Sequence, residues 1–147
     1  MYFEDFTVGD VYRHARGKTL TEMDGVLITN MVMNTAQAHF NADARKDSVF
    51  PHVLVFGGVT ISMVIGLATQ DTGEHAVAEL GLDRIRLRAP VTHGDTLYAY
   101  TEVLGKQDAD HPEAGVVRFK HWGVNQDEAV VFEGERTVLV RRAGALR

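Results

Sequence analysis

The chain has 147 residues, a mass of 16.3 kDa and a formal net charge of -5, with 45% hydrophobic and 24% charged residues. That is enough apolar material for one core, so residues 1–147 read as a single globular domain, and the negative balance argues against a nucleic-acid partner, which needs cationic surface to neutralise phosphates. Cysteine is absent, which removes disulfides, thiolate nucleophiles and Cys-based zinc sites.

The opening "MYFEDFTVGD" is acidic and aromatic, without the basic start and apolar centre of a signal peptide. The apolar runs further on are broken by Asn, Gly, Ser or Thr short of a membrane span. The expectation is a cytoplasmic protein with no membrane partner. "GDVYRHARGKTLT" alternates loosely and ends on a helix start. Thr21 can cap, Asp24 stands three positions on, and Val26, Leu27, Met31 and Val32 recur near helical spacing. A first helix is expected from Glu22 to Met33.

"MNTAQAHFNADA", residues 33 to 44, then sets Asn34 and His39 in a polar interruption between apolar stretches. Chains keep binding and catalytic groups in such places. "GGVTISMVIGLATQDTG" follows two glycines and is apolar on nearly every face through Ala68, the pattern of a buried helix. Gly66 inside it is expected to let the helix approach something wide, such as a sheet. After Gly73 the helical period disappears. "AVAELGLDRIRLRAPV", "LYAYTEVLGK", "GVVRFKHWGVNQ" and "AVVFEGERTVLVRR" read as strands joined by turns at Gly, Pro, Asp or Asn. One buried helix and at least four late strands give an α+β layout, a curved antiparallel sheet wrapped around the helix.

Several motifs together resemble the MaoC-like hot-dog dehydratases, including the (R)-specific enoyl-CoA hydratases and the mesaconyl-CoA hydratase branch. They are "YFEDFTVGDVYRHARGKTLTEMD", "MNTAQAHFNAD", "LVFGGVTIS" and "DRIRLRAPVTHGDTLYAYTEVLGK". The similarity covers essentially the whole chain and implies a single hot-dog domain. In the family's D-x-N-P-x-H motif the Asp falls here on Asn34, the Asn on Ala36 and the Pro on Gln37. The His that commonly precedes the helix glycine falls on Phe56. The "H-F-N" run and the "F-G-G" helix start are closer to the mesaconyl-CoA hydratase branch.

The resemblance implies a hydro-lyase that adds water reversibly to a 2-enoyl-CoA, branched or dicarboxylic substrates such as mesaconyl-CoA included. His39 would be the acid/base, a role its near-neutral pKa class suits. Asn34 can hold water but cannot take its proton. Phe56, Gly57 and Gly58 would bind substrate. The free N–H groups of a helix start can polarise a thioester carbonyl and stabilise the enolate that forms from it.

Arg84, Arg86 and Arg88 alternate along one strand and could reach the phosphates of coenzyme A, or pair with acids on the neighbouring strand. No cofactor is called for beyond the coenzyme A of the substrate. No histidine has an H-x-H or H-x-x-x-H companion, so no metal site is expected. A thioesterase on the same fold and a non-catalytic acyl-CoA binding module are the alternatives. A homodimer with sheets running together is implied as well, because unpaired sheet edges are usually covered.

Overall fold

The fold is described from a computed structural model covering residues 1–145. Its elements are β1 (Val11–Thr19), α1 (Glu22–Met31), α2 (Gly57–Thr72), β2 (Ala76–Leu87), β3 (Thr96–Asp108), β4 (Ala114–Val124) and β5 (Val130–Arg141). The strands form one antiparallel sheet in the order β1-β3-β4-β5-β2. The four late strands are those expected. A fifth, β1, comes from the loosely alternating opening.

The first helix stops two residues earlier than its apolar pattern implies. Thr21 caps it, accepting from the Asp24 N–H at 3.2 Å while the Asp24 carboxylate accepts from the Thr21 N–H at 2.8 Å, a complete capping box. The Thr21 N–H and O–H, which both donate to it, and Lys18 beside them hold the Asp24 carboxyl down at about 2. At the far end Met33 adopts a left-handed φ of 62°. Its N–H bonds to Asn30 O at 3.0 Å and the next N–H, from Asn34, to Thr29 O at 3.1 Å. This is a Schellman stop with methionine where glycine is usual. The chain is thereby turned sharply into the segment that carries His39.

α2 lies against the inner face of the sheet through Val59, Thr60, Val64, Ala68 and Thr72. These positions fall close to every fourth residue, one stripe of a helix. The opposite stripe, Ser62, Gly66 and Gln70, is exposed, so the helix is not buried all round. The expected role of Gly66 is corrected here: a Cβ there would meet nothing within 4 Å. The close approach is made by the sheet instead. A Cβ on Gly123 of β4 would run into Val64.

Two apolar clusters fill the concave face. One joins α2 to Leu97, Ala99, Val131 and Phe132. The other gathers Phe3, Phe6, Val103, Val117, Phe119 and Val138. The next inward positions on three adjacent strands are polar: Thr101, His121 and Arg136, all at least nine-tenths buried. A kink in β1, where its register with β3 shifts between Arg13 and Gly17, accompanies a fourth buried polar side chain, His14. Bulges commonly re-aim side chains in this way.

Candidate active site

His39 ends a short 3-10 turn, Gln37–His39, that is latched to the strand-like stretch before α2. The Leu54 N–H donates to Ala38 O at 3.1 Å, and the His39 ring Nδ1 lies 2.8 Å from Leu54 O. A carbonyl only accepts, so Nδ1 carries a hydrogen and the neutral ring presents Nε2 as a free base. Phe56 and Phe40 flank the ring at centroid distances of 5.6 Å and 6.4 Å. The histidine is thus oriented by a backbone acceptor and walled by aromatics.

The cavity beside it has a volume of about 350 Å³ and is lined by His39, Leu54, Gly57, Thr60, Leu87 and Arg88, among others. Three separate stretches of chain meet there: the His39 turn, the first turn of α2, and the end of β2 with the loop that follows. Val55 N–H donates to Val91 O at 2.8 Å, which ties the last two together. α2 begins at Gly57 with Phe56 at its N-cap and no side-chain cap. Among the described residues nothing accepts from the Gly57 or Gly58 N–H, whereas the Val59 N–H turns back to Phe56 O. Two free donors at a helix start suit an anion or a polarised carbonyl. The glycines also have packing reasons, since a Cβ would strike Leu87 at Gly57 and the Phe56 ring at Gly58.

The other residues singled out from the sequence are placed differently. Asn34 is half-buried and does not line this cavity; its Oδ1 accepts from the Ala36 N–H at 3.0 Å, and its amide NH₂ has no partner among the described residues. Arg84 and Arg86 are exposed on β2 and do not line it either. Arg84, at a left-handed φ of 51° where the β2–β5 register shifts, pairs with Glu135 at 2.9 Å, and Arg86 donates to Ile85 O at 2.8 Å. The third arginine of the row, Arg88, is the one at the cavity, with one arm on Glu133.

A buried polar chain went unread in the sequence. The Asp71 carboxylate is 2.6 Å from His14 Nδ1, His14 Nε2 is 2.7 Å from Thr101 Oγ1, and Thr101 Oγ1 is 2.8 Å from His121 Nδ1. With Asp71 ionised and His14 neutral the donors run one way, from His121 Nδ1–H to Thr101 and from Thr101 O–H to His14. His121 Nε2 is then a bare lone pair, and it has no partner among the described residues. Burial, then the charge of Arg136, push the His121 pKa down to about 3. Arg136 itself is tied to Glu79 and, at 3.3 Å, to Thr72.

Among the described residues no group of three or more His, Asp or Glu is placed to hold a metal ion. None of their helices is long and apolar enough to cross a membrane.

Similar proteins are found by sequence and by shape. A family model described as mesaconyl-CoA hydratase matches residues 2–142. A mesaconyl-CoA hydratase of Haloarcula marismortui is 36% identical, over 96% of this chain and 42% of its own length. An (R)-specific enoyl-CoA hydratase of Rhodospirillum rubrum is 33% identical, over 97% of this chain and 94% of its own. A Mycobacterium tuberculosis protein with a double hot-dog fold superposes with a TM-score of 0.89 at 23% identity, covering 100% of this chain and 46% of that one. The chain spans less than half the length of the mesaconyl-CoA hydratases it matches. With the family match over residues 2–142 and the five-stranded sheet and the helix against it in agreement, the chain belongs to the mesaconyl-CoA hydratase family and has the hot-dog fold.

Proposed function

We propose that this chain is a hydro-lyase that adds water reversibly to a 2-enoyl-CoA, with mesaconyl-CoA, a branched dicarboxylic thioester, as the substrate to try first. The observation that carries the reading is the His39 ring, whose Nδ1–H on Leu54 O leaves Nε2 as a base in a cavity that also holds the open start of α2. Nε2 takes a proton from water as the water oxygen bonds to C3 of the enoyl group. The C2–C3 π pair moves toward the thioester carbonyl, whose oxygen gains negative charge against the Gly57 and Gly58 N–H groups. The proton on Nε2 is then delivered to C2, so one histidine serves as base and acid. Phe56, which flanks the His39 ring, walls the acyl group, while Asn34, outside the cavity lining, takes no part in this step. The step needs no metal or redox cofactor, only the coenzyme A of the substrate.

Thioester hydrolysis is the weaker reading, because none of the described residues lining the cavity is a carboxylate that could serve as the base. A binding module without turnover is disfavoured by the free Nε2 of His39. We also assign the chain to homodimers in the cytoplasm. β2 is an edge of the sheet and exposes Val77, Leu80, Leu82 and Leu87, and an apolar edge of that kind calls for a partner. The cavity abuts the end of β2, so a partner there would help enclose it.

Loss of enoyl-thioester absorbance, followed with crotonyl-CoA and mesaconyl-CoA, tests the proposal. Turnover by the native chain that His39→Ala abolishes supports it. Turnover that survives the substitution removes His39 from the mechanism.

A further inference from the structure

Arg88 is a charged group in the cavity that the hydration step leaves without a task. Of the described residues lining the cavity it alone carries a fixed charge, and its neighbours there include Phe50, Leu54, Leu87 and Val91. Glu133 takes one arm of the guanidinium. The Nε and the other NH₂ arm have no acceptor among the described residues. A planar fork held by one arm and open on the other is a ready receptor for a carboxylate.

We propose that Arg88 binds the free carboxylate of a dicarboxylic 2-enoyl thioester and selects such substrates over monocarboxylic ones. This rests on the hydratase reading of the same cavity. In a methylfumaryl thioester the free carboxylate is attached to C3, the carbon that water attacks. With the thioester carbonyl at the start of α2 and the water at His39, that carboxylate must lie in the same cavity. There it would lose hydration against apolar walls and repel the incoming oxygen. A guanidinium in hydrogen-bond contact offsets both effects. A crotonyl group carries a methyl at this position and makes no use of the charge. The phosphates of coenzyme A lie a pantetheine arm away from the reacting carbons, so a role for Arg88 in holding them would act equally on every acyl group.

The test uses Arg88→Gln and Arg88→Lys in the full chain, with kcat/KM for mesaconyl-CoA and for crotonyl-CoA. Arg88 is half-exposed, and exposed ion pairs contribute little to folding, so the variants should fold. The ratio of the two kcat/KM values, mesaconyl over crotonyl, should fall by about 10–100-fold in Arg88→Gln, as expected for losing a charge-assisted contact. Arg88→Lys should restore part of it. An unchanged ratio overturns the proposal, and so does an equal loss on both substrates. The ratio of Kd values for the two thioesters, measured calorimetrically in a His39→Ala background, gives the same comparison without turnover. Failure of the hydration mechanism and failure of carboxylate recognition therefore appear as different results.

Discussion

His121 makes a stability prediction whose size follows from its surroundings. Its Nδ1–H is committed to Thr101, and its Nε2 is buried without a partner. Adding a proton there would place an N–H⁺ where nothing accepts it, near Arg136. Burial and that charge set the folded-state pKa at about 3, against 6.5 for an ordinary histidine. Between those two values the unfolded chain holds a proton that the folded chain does not. Stability must therefore fall as the pH falls through 6.5, by about 1.4 kcal/mol per unit. From pH 7 to pH 5 this amounts to about 2 kcal/mol, and the figure barely depends on the folded value so long as it stays well below 5.

The perturbation is His121→Gln, whose amide can still donate to Thr101 but does not titrate. Urea unfolding of both proteins at pH 7, 6 and 5 gives each stability profile. Groups common to both proteins cancel in the difference. The native chain should lose about 2 kcal/mol more than the variant over this range, a large share of a typical domain's 5–15 kcal/mol. Parallel profiles would refute the buried, neutral histidine.

Two further substitutions test the helix geometry. Gly66→Ala, on the open stripe of α2 where a Cβ meets nothing, should raise unfolding free energy by about 0.5–1 kcal/mol, measured by urea titration. A loss would show that the stripe is closely covered. Met33→Gly relieves the left-handed residue of the α1 stop and should stabilise by about 0.5–1 kcal/mol, net of the added freedom of the unfolded chain. Destabilisation would mean that the Met33 side chain contributes packing that its exposure does not reveal.

Local patterns made much of this fold legible. The capping box at Thr21, the apolar run of α2 and the alternation of the late strands are each set by neighbours within a few residues. His39 stood out because it sits in a polar interruption of an apolar region. β1 was harder to read, because its register shift falls within the strand and breaks the alternation that would have marked it. The His14–Thr101–His121 chain joins residues 87 and 20 positions apart, and no spacing in the sequence signals such pairing. The arginine row displayed its period, but its partners Glu133 and Glu135 lie some fifty residues further on. The shift between Asp83 and Arg86 also disturbs the regular alternation. Which arginine reaches the cavity is decided by that long-range pairing, and it is Arg88. For Asn34, the Asx-type bond to Ala36 and the helix stop are local, and capping was already an ordinary use for an asparagine at that position.

The role of His39 is tested by hydration of mesaconyl-CoA by the native chain and by His39→Ala, read from enoyl-thioester absorbance at matched protein concentration. Turnover by the native chain is expected, with a loss of kcat on the order of 10²–10⁴-fold in the variant and the fold unchanged by circular dichroism. Equal turnover by the two proteins would contradict that role.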